Sequence, residues 1–236
     1  MKKDLHWSLW VVLPVAGFLL PYLSRLGTAA ADGYLYGESG WVELLTVMYL
    51  LVAILFGVMF LVSGKAGGHG WMRWWMTLLV LGSVYFAGEE ASWGQHIFGW
   101  ETPEQWLDVN DQGETNIHNT SVFFDQFPRA LLSVAALVGG VMAPLYCAVT
   151  GRHPARGSLQ YWLWPTYVCL PAALFSLLVS WHEKMYRVLG VEIPTVLDVR
   201  AGEVKESLLA LFIMLYVMSV WYRNRVSDRG CLVSGI

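Results

Sequence analysis

Six apolar stretches dominate this chain, and each approaches the roughly 20 residues that a helix needs to cross a hydrocarbon layer about 30 Å thick. They fall at about residues 7–23, 41–62, 71–87, 130–149, 161–181 and 208–222. In lipid every backbone N–H and C=O must find its partner inside the protein, so stretches of this kind fold as helices. The expected fold is an all-α polytopic membrane bundle, a single transmembrane domain over residues 1–236. Composition agrees: 14% of residues are charged and the mean hydropathy is +0.48, where a soluble domain carries about 25% charged residues. A net charge of −3 without any basic run gives no purchase on nucleic acid. Cys147, Cys169 and Cys231 are too scattered for a disulfide framework or a CxxC metal site.

The first stretch has some features of a cleaved leader, with Lys2 and Lys3 before it and the small residues Ala29–Ala31 after it. Its apolar run is long for that role and Arg25 follows, so a retained helix is expected. Six spans divide the lysines and arginines nine to six. Lys2, Lys3, Lys65, Arg73, Arg152, Arg156, Arg223, Arg225 and Arg229 share the face that holds both termini. The richer face is the cytoplasmic one by the positive-inside rule. Both termini are then cytoplasmic, as in a bacterial inner-membrane protein, and the loop at 88–128 faces outward. Trp7, Trp41, Trp71, Trp74, Trp75, Trp162, Trp164, Trp181 and Trp221 stand near the span ends, as an interfacial belt requires. In the fourth span Ala135, Gly139 and Ala143, with Ala136 and Gly140 beside them, form a small-residue face that lets another helix approach. Pro165 and Pro171 should bend the fifth span and free carbonyls that neighbours must satisfy.

Polar chemistry concentrates in one place, GEEASWGQHIFGWETPEQWLDVNDQGETNIHN, from Gly88 to Asn119. Ionisable side chains this close to a bilayer are costly and mark functional sites. Thr102-Pro103-Glu104 reads as a helix start, and Asn110-Asp111-Gln112-Gly113 as a turn. An extended backbone would place Glu114, Asn116 and His118 on one face, whereas a helical one would pair Glu114 with His118. Helix ends bring further groups to the same side of the membrane: Glu43, Glu89, Glu90, His182, Glu183, Glu203 and Glu206, under a loop carrying Gln95 and His96. Such a cluster resembles a hard or borderline metal site, and equally a proton relay or a hydrogen-bonded cap that closes the bundle. The plainer alternative for each residue is a solvated interfacial carboxylate, or a histidine bonded into the packing.

The strings EEASWGQHIFGWETPE and QGETNIHN resemble a signature, EE-x-SWGQ-x-x-x-G with GE-x-N-x-HN, of a family of bacterial integral membrane proteins to which no activity is attached. The resemblance covers about thirty residues and implies a membrane location without a mechanism. A looser similarity to the alkaline ceramidase superfamily implies zinc held among helices by histidines and acids, but six spans and no HxxxH pair depart from it. HExxH, GxSxG, Walker A and GxGxxG motifs are missing from the chain.

Two functions are expected on this basis. The first is a metal-assisted hydrolase or transferase acting on a lipid or lipid-linked substrate. Glu90, His118 and His182 would hold a divalent zinc, iron or manganese ion, and Glu89 or Glu114 would act as general base on a bound water. Glu43, Gln95, His96, Asn116, Glu183 and Glu206 would support them. The second is a non-catalytic subunit or assembly factor of a larger membrane complex, with the loop as a docking cap. Its partners would be membrane lipid and other membrane subunits, or further copies of the chain.

Overall fold

A computed structural model describes residues 4–26, 40–63, 70–107, 110, 114–117 and 120–233. Among them every regular element is a helix, with no strand, and the helices form a bundle. Four helices are long and apolar enough to cross a membrane, at Trp41–Val62, Gln126–Thr150, Leu159–Leu189 and Thr195–Val226. The chain is therefore a membrane protein. Ser8–Ser24 is a shorter apolar helix, and Gly70–Glu90 is helical over its whole length but is diluted by Arg73, Thr77, Ser83 and its terminal carboxylates.

We number the helices α1 (Ser8–Ser24), α2 (Trp41–Val62), α3 (Gly70–Glu90), α4 (Gln95–Phe98) and α5 (Glu104–Leu107). Next come α6 (Val122–Ala135, continuing through Ala136–Met142 to Ala143–Thr150) and α7 (Leu159–Leu163). The series ends with α8 (Leu170–Leu178), α9 (Trp181–Leu189) and α10 (Ala201–Val233).

The bundle is built around α10. Of its apolar window 78% is buried, against 22–33% for the other three long helices. Its sequence explains this, since Leu208–Val217 is apolar on every side, the pattern of a helix surrounded by others. Helices α1, α2, α6 and α8 pack on it, and α3 packs on α2. One small residue sets the spacing around α6. A Cβ at Gly140 of α6 would lie 2.4 Å from Ala173 Cβ and 2.7 Å from the Phe212 ring, so α6 meets α8 and α10 through bare backbone. This is the close approach expected from the Ala135–Gly140 face.

Of the two prolines of the fifth span, Pro165 follows a break in the helix, whereas Pro171 opens the next helix rather than bending one. Helix α7 stops at Leu163, Trp164 is extended, and Pro171 sits in the first turn of α8. The carbonyls released by the break are taken up by α10. Tyr216 Oη donates to Leu163 O at 3.0 Å and to Trp162 O at 3.2 Å, and accepts from Trp75 Nε1 at 2.9 Å. The Arg223 guanidinium donates to Tyr161 O. Beside it Asp4 Oδ2 accepts from Thr166 Oγ1 at 2.7 Å and from Ser219 Oγ at 3.0 Å, tying the start of the chain to α10.

Candidate functional site

The polar residues singled out in the sequence separate into three groups at one end of the bundle. The largest is the loop after α3, and its geometry starts with a backbone reversal. Ser92, Trp93 and Gly94 have φ of 43°, 54° and 95°, three consecutive left-handed residues, two of them not glycine. A conformation so unfavourable for L-residues persists where surrounding contacts impose it. Here the contacts are visible. The reversal lays the Trp93 ring against the last turn of α3, where a Cβ on Gly88 would come 2.7 Å from Trp93 Cζ3. It also brings Trp93 Nε1 to donate to Glu89 Oε1 at 2.8 Å.

Glu89 is buried, 3% exposed, and its second oxygen accepts from the backbone N–H of Ile117 at 2.7 Å. The carboxylate thus staples the end of α3 to a strand of loop 28 residues later. Glu114 Oε2 accepts from Ser92 Oγ at 2.7 Å and from Asn116 Nδ2 at 2.6 Å, and Ser92 and Asn116 are fully buried. Asn110 donates to Asn116 O and Oδ1 at 3.0 and 2.9 Å and accepts from the Glu114 N–H at 3.2 Å. Gln95 Oε1 accepts from both the N–H and the hydroxyl of Thr115 at 2.7 Å, while its Nε2 donates to Thr102 Oγ1 at 2.7 Å. Trp100 Nε1 closes the set on Thr115 Oγ1 at 3.0 Å. The result is a cap in which side chains replace the regular backbone ladder. Around it Trp93, Ile97, Phe98, Trp100 and Leu107 remain exposed.

The second group surrounds Glu90. Half-buried at the end of α3, it lies within the fields of Glu206, Glu43 and Glu203, with Arg129 as the cation that answers them. Arg129 Nε donates to Glu206 Oε1 at 2.9 Å and its terminal nitrogen donates to the same oxygen. The third group holds His182 and Glu183 at the start of α9. His182 Nε2 lies 2.7 Å from Leu197 O, a contact that requires the proton on that nitrogen, and Nδ1 lies 3.3 Å from Tyr22 Oη. Glu183 Oε1 accepts from the Ala201 N–H at 2.9 Å, capping α10 from a distance in sequence.

Of the residues proposed from sequence, Glu89, Glu114, Gln95 and Asn116 therefore come together in the cap. Glu90, Glu43 and Glu206 form the second group, and His182 and Glu183 the third. His118 lies outside the described residues, and of His96 only the helical backbone is described. Among the described residues no three His, Cys, Asp or Glu side chains are grouped as a metal ion would need. Sequence reading missed Asn110, Thr102, Thr115 and Trp100 as cap members, and Arg129 as the partner of Glu206. The signal for Trp93 was present in its neighbours, since glycines at 88 and 94 are what a folded-back indole requires.

No family model matches the chain, and no curated protein or solved structure matches it.

Proposed function

We propose that this chain is a non-catalytic subunit or assembly factor of a bacterial inner-membrane complex, with both termini cytoplasmic and the cap facing outward as a docking element. One observation carries the reading. The carboxylates best placed to act as bases, Glu89 and Glu114, are each held by two donors inside the cap. A general base must meet a water or substrate proton at hydrogen-bond reach; these oxygens instead hold a loop in shape. The same bonds give the exposed Ile97, Phe98 and Trp100 a fixed platform, and rigid aromatic anchors are what partner recognition favours.

The metal-assisted reading needs Glu90, His118 and His182 around one ion. His182 has partners at both ring nitrogens, and Glu90 belongs with Glu43, Glu206 and Arg129. Both facts weigh toward the docking role. The test is site-specific photocrosslinking from position 98 in native membranes, paired with elemental analysis of the full-length protein purified without chelator. The docking role predicts a discrete protein adduct, lost on Glu89→Gln, and no stoichiometric metal. Stoichiometric zinc, iron or manganese that disappears in Glu90→Gln, with no protein adduct, would replace it with the metal-assisted enzyme.

A further inference from the structure

Helix α9 carries a second surface, separate from the cap. Trp181, Met185, Val188 and Leu189 recur at helical spacing along one stripe, all are exposed, and with Lys184 they line an open groove. Glu183, on the opposite side of the helix, accepts from the Ala201 N–H, and His182, at the edge of the stripe, bonds Leu197 O, which together fix the helix in place. Leu174 and Leu178 of α8, also exposed, precede it on the segment long enough to span the membrane. The stripe therefore continues a lipid-facing surface. A short helix with such a stripe and cations on its flank is built to lie at a membrane interface.

The charges beside the stripe are unbalanced. Lys184 flanks it on α9, and the bond from the Ala201 N–H to Glu183 sets the first turn of α10 beside it, so that Lys205, one turn on, lies within the fields of Lys184, Arg129 and Glu206. Of the nearby acids, Glu206 is paired with Arg129 and Glu203 with Arg200 at 3.3 Å, while Glu183 is held by the Ala201 N–H and keeps its charge. Lys184 and Lys205 have no ion pair among the described residues. Lys184 in the groove wall and Lys205 on the adjoining turn, neither in an ion pair among these residues, suit a phosphate attached to hydrocarbon chains.

We propose that α9 and the first turns of α10 bind an anionic phospholipid, with Lys184 and Lys205 on its phosphate and its acyl chains along Trp181, Met185 and Leu189. The site is independent of the cap and of its partner. The test uses full-length protein in phosphatidylcholine nanodiscs with and without phosphatidylglycerol, released and weighed by native mass spectrometry. Wild-type protein should retain phosphatidylglycerol over phosphatidylcholine by about tenfold or more, as two surface lysines imply. Lys184→Gln with Lys205→Gln should abolish the preference, and Lys184→Arg with Lys205→Arg should keep it. Excess inorganic phosphate should not displace the lipid. Equal retention of the two lipids by wild-type protein would overturn the proposal, as would a preference surviving in the glutamine variant. Displacement by phosphate alone would reassign the lysines to a free anion. Should the double variant fail to fold, the wild-type comparison and exposed Lys184→Gln alone still decide.

Discussion

Glu89→Gln removes one bond from the cap while leaving its shape. The native carboxylate is 3% exposed and receives two donors, Trp93 Nε1 at 2.8 Å and the Ile117 N–H at 2.7 Å. A glutamine offers one acceptor oxygen and turns an NH₂ toward the other donor, so at least one hydrogen bond to a charged group is lost. Such a bond contributes about 1.5–3 kcal/mol, and a buried donor left without a partner costs a similar amount. The reversal at Ser92–Gly94 makes the loss cooperative. Without the Trp93–Glu89 bond, less opposes the strain of two left-handed L-residues, each costing on the order of 1–3 kcal/mol. We expect a destabilisation of about 2–4 kcal/mol in total, read as a lower melting temperature of the full-length protein in detergent. Glu104→Gln, at the exposed start of α5, serves as control and should change little. If Glu89→Gln melts with the control, the carboxylate does not hold the cap. If in addition a metal-dependent activity is lost, the catalytic role returns.

Other perturbations test separate parts of the account. Ser92→Ala and Asn116→Ala share Glu114 Oε2 as acceptor, so their combined effect on melting should depart from the sum by about 0.5–3 kcal/mol; strict additivity would place them in different units. Gly140→Val forces a side chain into the contact with Ala173 and Phe212 and should cost at least about 1–3 kcal/mol, whereas the same change at Gly82, where a Cβ meets open space, should be far milder. Equal melting of the two would deny the close approach of α6. Tyr216→Phe withdraws the donor from the Trp162 and Leu163 carbonyls and the acceptor from Trp75, and should lower the melting temperature by the equivalent of about 1–3 kcal/mol; no change would show that the proline break is satisfied in another way. A cysteine introduced at Gln112 should react with an impermeant thiol reagent added outside intact cells. Labelling only after the membrane is opened would reverse the orientation.

Much of the architecture was legible in one dimension because lipid simplifies the problem. An apolar run of sufficient length has one way to satisfy its backbone, so the helix at 41–62 could be placed from hydrophobicity and punctuation alone. Pro165 announced a break, and Ala135–Gly140 announced a close contact, because both act through local backbone geometry. The rank of the helices was not legible. The stretch at 208–222 reads like any other span, and its place at the centre of the bundle emerges from the packing of α1, α2, α6 and α8 around it. Nor was the grouping of polar residues. Glu89 and Glu90 are neighbours in sequence, yet a helical turn sends one to Ile117 of the loop and the other toward Glu206 and Arg129. Helical geometry alone parts the two side chains; which partners each one meets comes from the packing. His182 reads as a ligand until Leu197 O and Tyr22 Oη, 15 and 160 residues away, occupy its nitrogens.

The central claim is that side chains of the loop after α3 hold one another, with Glu89, in a cap. Amide hydrogen exchange over residues 110–121 tests it most directly. Three N–H groups there, of Glu114, Thr115 and Ile117, donate to the side chains of Asn110, Gln95 and Glu89. The account predicts that these amides exchange far more slowly than an unstructured loop, and that Glu89→Gln speeds exchange first at Ile117. Exchange at the unprotected rate in the wild-type protein would contradict it.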